Sequence, residues 1–183
     1  QSIEPGRVRT DRGTIRARHI IVCVDGNLET LVPELHGTVR TARLQMLATA
    51  PTTEVLLPRP ISTRFGYDYW KQLPDGSVTV GGGRDKDGDA EWTSANTPTP
   101  AVQDYLTELL RGTVGVHAEV THRWGATVAY TESGFPVFRS LGDGVLVMGA
   151  YSGTGNVVGA LFGRAAAQLA LKGRSDLLTP FLD

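Results

Sequence analysis

Cysteine is nearly absent from this chain: Cys23 stands alone among 183 residues. No intrachain disulfide can form. Cys23 lies within Ile20-Ile21-Val22-Cys23-Val24, an apolar run that reads as a buried strand. It is therefore expected to be a core thiol rather than a nucleophile. Excess charge of one sign is also missing. The formal net charge is −1, and no basic block gathers anywhere. A nucleic-acid partner is excluded on that ground. Apolar runs are broken well before the roughly 20 residues that a membrane span needs. No charged-then-apolar leader opens the sequence, and the cytoplasm is the expected compartment. Internal repeats and low-complexity stretches are absent. His19, His36, His117 and His122 are scattered, so no metal site is expected. Asp85-Lys86-Asp87-Gly88-Asp89 lacks the glycine and glutamate spacing of a calcium loop and reads as a solvated acidic turn. No Ser-His-Asp or Cys-His set can be assembled. What remains is a chain with 40% hydrophobic residues, enough for a packed core.

The feature that is present, and informative, is a glycine-rich strand-to-helix passage at the end. Gly144 to Tyr151 reads as a buried strand, Ser152-Gly153-Thr154-Gly155-Asn156 as a loop, and Val157 to Leu171 as a helix. Such a junction aims backbone N–H groups and the positive end of a helix dipole at whatever lies in front of it. Nucleotide-binding domains normally open with this passage, whereas this chain closes with it. The expectation is the tail of a cofactor-binding fold whose front lies outside the chain. Gly153-x-Gly155-x-x-x-Gly159 is a loose dinucleotide fingerprint. No second βαβ strand with its acidic residue follows, so the site is incomplete. Gly155, Gly159 and Gly163 recur every four residues, although each glycine costs a helix interior about 1 kcal/mol relative to alanine. Close packing or a flat ligand would compensate at Gly159 and Gly163. Ligand contact is the favoured reading at Gly153 and Gly155.

Elsewhere the pattern is mixed. Asp11-Arg12-Gly13 between alternating segments signals a hairpin. Arg18 to Val24 is a nearly continuous apolar run, as in a strand covered on both faces of a parallel sheet. Leu28 to Leu35 reads as a short helix or turn. Segments 38–49, 53–57, 61–73, 77–82 and 117–130 have strand composition, with Pro74-Asp75-Gly76 as a turn. Thr99 and Pro100 serve as N-cap and first residue of a helix over 100–111. Its apolar stripe is Val102, Leu106, Leu109 and Leu110. Segments 135–138 and 145–150 are apolar again. Ile20, Val22 and Leu161 have no evident partner. The fold class is α+β, with an antiparallel sheet and a helix in the middle and α/β elements at both ends. The expected division is 1–28 and 136–183 for the cofactor domain and 29–135 for a substrate domain.

His122-Arg123-Trp124-Gly125-Ala126, Tyr130-Thr131-Glu132-Ser133-Gly134-Phe135-Pro136-Val137 and Gly149-Ala150-Tyr151-Ser152-Gly153-Thr154-Gly155-Asn156 carry a resemblance. In this order they resemble the C-terminal part of the FAD-dependent, D-amino-acid-oxidase-like oxidoreductases. That family includes glycine and sarcosine oxidases and gamma-glutamylputrescine oxidase. Tyr67 to Gly76 with Val80-Gly81-Gly82-Gly83-Arg84-Asp85 is similar to the substrate-domain hairpin of the last branch. Arg43-Leu44-Gln45 fits the strand entering that domain.

The resemblance implies that an N-terminal FAD-binding segment completes the protein, and that FAD is held without a covalent link from this segment. It implies contact with FAD at Gly26, Gly149, Ala150, Ser152, Gly153, Thr154, Gly155 and Asn156. The family's usual Ala-Thr-Gly is replaced by Val24-Asp25-Gly26. The implied reaction is oxidation of a C–N bond of a small amine or amino acid to an imine. Tyr67, Tyr69, Trp124 and Tyr151 are candidates for the substrate side, with sheet packing the alternative for Tyr67 and Tyr69, and Trp124 either a core residue or a flavin-side wall. Alternation places Tyr67 and Tyr69 on one face of their strand and Trp70 on the other. No single residue is assigned as catalytic. The competing reading is a free-standing, non-enzymatic small-ligand or interaction domain that uses residues 152–156 as an anion site. A fragment would expose apolar surface and self-associate.

Overall fold

The computed structural model describes residues 2–178. In chain order its elements are β1 Ser2–Glu4, β2 Arg7–Thr10, β3 Gly13–Arg16, β4 Ile20–Val22, α1 Leu28–Leu31, β5 Val39–Thr49, β6 Ile61–Thr63, β7 Asp68–Gln72 and β8 Val78–Gly82. There follow α2 Pro100–Glu108, β9 Val120–Thr131, β10 Val137–Ser140, β11 Val145–Gly149 and α3 Gly155–Lys172. The class is α+β, as the pattern of the sequence leads one to expect. The chain forms two compact units, Gln1–Thr41 with Val128–Asp183, and Ala42–Thr127.

In the first unit, β4 and β11 run parallel, and β10 joins β11 antiparallel. β11 is apolar throughout because both its faces are covered. Val145 and Val147 join Ile20, Val22, Leu28, Leu35 and Ala129 in one cluster. Leu146 and Met148 turn to Phe162, Ala165 and Ala166 of α3 in another. Phe138 and Phe162 meet edge to face at 5.1 Å. β1, β2 and β3 form a separate antiparallel meander.

Three expectations need correction in this unit. Ile20 and Val22 are buried rather than unpartnered, because their side chains enter the cluster beneath β11 and α1. Leu161 does stay open, 48% exposed. Cys23 is exposed and not a core thiol. The alternation that buries Ile20 and Val22 exposes Ile21, and Cys23 continues on that exposed side. β4 is covered on one face only, with Ile21 exposed on the other.

The second unit is a five-stranded sheet in the order β6-β7-β8-β5-β9. One face carries the core: Leu47, Trp70, Val78 and Val80 pack on Val102, Leu106 and Leu110 of α2 and its continuation. α2 ends at Glu108 and widens into a π-helical turn, Leu109–Val114, closed by Gly115 at φ 78°. Residues 53–57 form no strand. Pro51, Pro58 and Pro60 lack ladder donors, and the Gln72 side chain ties the segment instead, through Leu57 N (3.1 Å) and Thr52 O (3.1 Å). The expected strand over 61–73 is broken at Arg64–Gly66, where three residues in succession take positive φ.

Thr99 does not cap α2 by its side chain. Its hydroxyl accepts from Gln45 Nε2 (2.9 Å), and its N–H donates to Gln45 Oε1 (2.9 Å), so β5 fixes where the helix begins. Gln45 belongs to a fully buried polar group. Arg43 donates to both Glu91 oxygens (Nε 3.1 Å, Nη2 2.6 Å) and to Thr97 O (2.9 Å). Gln45 Nε2 also donates to Glu91, and Gln103 donates to Gln45 Oε1.

Candidate functional site

The passage from β11 to α3 has an unusual backbone. Ala150 (φ 52°) and Ser152 (φ 50°) both sit in the left-handed region that non-glycine residues avoid. Gly153 (φ 91°) follows. Gly149 admits no side chain: a Cβ there would lie 2.7 Å from Val24 O and 2.9 Å from Leu28 Cδ2. The turn is held from below by Asp25, just beyond β4. One carboxylate oxygen accepts from Tyr151 N (3.1 Å) and the other from Ala129 N (3.0 Å). Ala129 O in turn accepts from Ser152 N (3.2 Å).

Past the turn, Thr154 directs its hydroxyl backward to Tyr151 O (2.7 Å), and no side chain caps α3. The first turn of α3 carries no acidic residue. The leading amides and the positive dipole end are therefore not neutralised from within the helix. Gly153, Thr154 and Asn156 are exposed, and nothing lies within 4 Å of where a Gly153 Cβ would stand. This edge is built to face an electron-rich group. It fits the carbonyl-bearing edge of a flavin, and no carboxylate competes for it in the helix's first turn.

Gly155 and Gly159 answer to a neighbour within the chain. The Tyr151 ring lies along them, 3.3 Å and 3.5 Å from their would-be Cβ atoms. Tyr151 also approaches Phe162 at 6.2 Å between ring centres. Burial, and then the Asp25 carboxylate, hold its phenolic proton more tightly than usual. Gly163 has open space around it. Gly26 sits half-buried beside Asp25, so it shares a unit with the loop.

The other candidates lie in the second unit. Tyr69 extends over Gly81 on the sheet face opposite α2, while Trp70 enters the core. Met46 flanks the same glycine. On β9, the position of a Gly125 Cβ is blocked by Asn96 O (2.6 Å) and Arg43 Cδ (3.3 Å), so Gly125 points to the α2 side. Its neighbour Trp124 therefore shares the open face with Tyr69. Tyr67 precedes β7, with Arg84 stacked over its ring at 4.9 Å.

Beside Tyr67, the positive-φ turn is secured by charge. Arg64 donates to Asp68 (2.5 and 3.1 Å) and to Asp85 (2.9 and 2.9 Å). Tyr105 Oη donates to Asp68 (2.7 Å). Burial opposes the Asp68 charge, but Arg64, Tyr105 and Gly83 N–H outweigh it and hold the carboxyl below its ordinary range. Burial, then Asp68, pushes the Tyr105 phenol up to about 12. A raised phenol stabilises the fold below its unfolded value near 10 and loses that contribution as pH climbs through 12. Urea midpoints measured at about pH 9 and about pH 11.5 should fall for the wild type. The fall should be smaller in Tyr105→Phe, which starts about 1 kcal/mol less stable.

Asp25 and Met46 were not singled out by sequence. Asp25-Gly26-Asn27 after an apolar strand marks a turn, but nothing local shows that its carboxylate reaches residues 104 and 126 positions away.

The first unit thus holds the β4–β11 core with its uncapped glycine turn, and the second an antiparallel sheet with Tyr69 and Trp124 on one face. The chain belongs to the FAD dependent oxidoreductase (DAO) family, whose pattern matches residues 1–169, and FAD is the cofactor of that family. Among individual proteins it is 28% identical over 178 residues to the probable oxidoreductase OrdL of Rhizobium meliloti, covering 93% of this chain and 40% of that protein. Glycine oxidase from Bacillus cereus has a similar structure, with a TM-score of 0.72 at 14% identity, covering 94% of this chain and 49% of that one. L-proline dehydrogenase from P. horikoshii gives 0.69 at 18% identity, covering 94% and 47%. The chain thus spans less than half the length of each of these relatives. No helix among the described residues is long and apolar enough to cross a membrane.

Proposed function

We propose that this chain is the C-terminal half of a flavin-dependent enzyme that oxidises a C–N bond of a small amine or amino acid to an imine. An N-terminal FAD-binding segment completes it, and FAD is held non-covalently. The observation that carries this reading is the junction at 149–156, an uncapped helix start held open by Asp25. The similar structures include glycine oxidase and iminodiacetate oxidase, both named for amino-acid-like substrates.

The flavin supplies the hydride acceptor. Gly153, Thr154, Gly155 and Asn156 present amides and a helix dipole to its electron-rich edge, where negative charge is stabilised. Ala150 and Ser152 set the turn that aims those amides. Gly26 approaches the cofactor from the neighbouring β4 turn. In the substrate unit, Tyr69 and Trp124 offer an aromatic face that excludes water and orients a neutral amine, with Tyr67 at its margin. Tyr151, its proton firmly held, sits beneath the loop and supports it. The exposed apolar residues Ile21, Val24, Val157 and Leu161 are assigned to contact with the N-terminal segment.

The test is a visible spectrum of the 183-residue chain with added FAD, with and without the segment its gene encodes upstream. Flavin retained only in the mixture, followed by bleaching with a small amine or amino acid, is the expected result. No retention in either case would favour a free-standing binding domain. Stable self-association in place of uptake would assign the apolar surface to a second copy.

A further inference from the structure

We propose that Asp25 is a positioning residue for the flavin: it sets the turn at 150–152 that aims the amides of α3. This rests on the reading of that turn as the cofactor's contact. Two non-glycine residues on either side of Tyr151, Ala150 and Ser152, adopt left-handed backbone. Such geometry persists only where the surroundings over-determine it. The amide between them, Tyr151 N, donates to Asp25 Oδ1 (3.1 Å). Asp25 Oδ2 accepts Ala129 N (3.0 Å), and Ala129 O accepts Ser152 N (3.2 Å). The result is a closed ring from β4 through β9 to the turn and back.

Only a carboxylate serves both positions. The two amides each present a hydrogen, so both side-chain oxygens must be acceptors. An asparagine of equal size would turn an NH2 group against one N–H. Asp25 is half-buried, and its bonds to backbone N–H are charge-assisted, which makes them about twice as strong as neutral ones. Gly149 allows the approach: its absent side chain leaves the space where Val24 O lies. Asp25 need not touch the flavin, since it acts through the loop.

The experiment compares wild type, Asp25→Asn, Asp25→Ala and Val39→Ala in the protein as its gene encodes it. Val39→Ala removes two methyl groups from the same core and none of these hydrogen bonds. FAD affinity and the shape of the bound-flavin visible band are measured alongside the urea midpoint. Both Asp25 variants should weaken FAD by about tenfold or more and alter the band. Val39→Ala should lower the midpoint and leave affinity and band unchanged. Amide hydrogen exchange in the wild type is the second measurement, and it needs no variant to fold. Tyr151 and Ala129 amides should exchange far more slowly than the exposed amides of Gly153 and Asn156. Wild-type affinity and band in both Asp25 variants, or fast exchange at Tyr151 and Ala129, would overturn the inference alone. A wild type that takes up no FAD would overturn the functional reading, and this inference with it.

Discussion

Glu91→Ala is expected to destabilise the 42–127 unit by about 3–5 kcal/mol, the usual consequence of stranding one member of a buried ion pair. Arg43 and Glu91 are 5% and 2% exposed, so water cannot replace the lost partner. Glu91 also accepts from Gln45 Nε2, so its removal leaves that amide with only its bond to the Thr99 hydroxyl. Hydrogen bonding to Glu91 outweighs burial and raises the Arg43 pKa; that support goes with Glu91, but a guanidinium is not deprotonated in proteins, so a buried charge is left alone. Urea unfolding of the chain should show a lower midpoint for Glu91→Ala. The double change Arg43→Met with Glu91→Leu should recover most of the loss, because an apolar pair of similar volume often equals a buried ion pair. A midpoint near wild type for the single change would show that the network contributes little. The consequence reaches the site, because Arg43 and Gln45 alternate along β5 with Met46, which lies beside Tyr69 at Gly81.

This network also shows where a sequence stops being legible. β11, its glycine turn and α3 follow from apolar run, glycine cluster and alanine-rich period, all local signals. That residues 18–24 enter a parallel sheet was read from a nearly continuous apolar stretch, but not that β11 is the partner or that only one face is covered. The alternation that sends Tyr69 and Trp70 to opposite faces is a property of any strand. By contrast, Arg43 meets Glu91 across 48 positions, and Asp25 meets Tyr151 across 126. A charged residue inside a strand pattern reads as surface until its partner is known. The left-handed turn at Arg64 and Phe65 was hidden for the same reason. Its strain is offset by Asp68 and Asp85, and composition alone reads the segment as strand. Cys23 was misread because an apolar run predicts burial without saying that only one of its faces is covered.

Gly82→Ala is the second large expected effect, and Gly81→Ala is its counterpart. Three glycines in a row, Gly81, Gly82 and Gly83, look redundant in sequence, yet each makes room for something different. A Cβ on Gly82 would collide with Tyr67 O and come within 2.8 Å of Asp68 Cα, both backbone atoms that cannot yield. Its φ of 131° is itself a conformation that side chains avoid. Overpacking of this kind costs about 1–3 kcal/mol, and the backbone strain adds roughly 1–3 more. Gly82→Ala should therefore lose much of the folded population at the temperature where wild type is native, read by circular dichroism. At Gly81 the colliding atoms are the far edge of the Tyr69 ring and Met46 Cγ, both side-chain atoms that rotation can move, unlike backbone. Gly81→Ala should fold with a midpoint within about 1.5 kcal/mol of wild type and displace the Tyr69 ring across the open face. If that face orients the amine, the completed flavoenzyme should show a higher KM with FAD affinity unchanged. Equal loss of stability in both variants would mean that Tyr69 is fixed as firmly as the backbone. It would then serve the sheet rather than the substrate. Unchanged KM with a displaced ring would remove Tyr69 from the substrate side altogether.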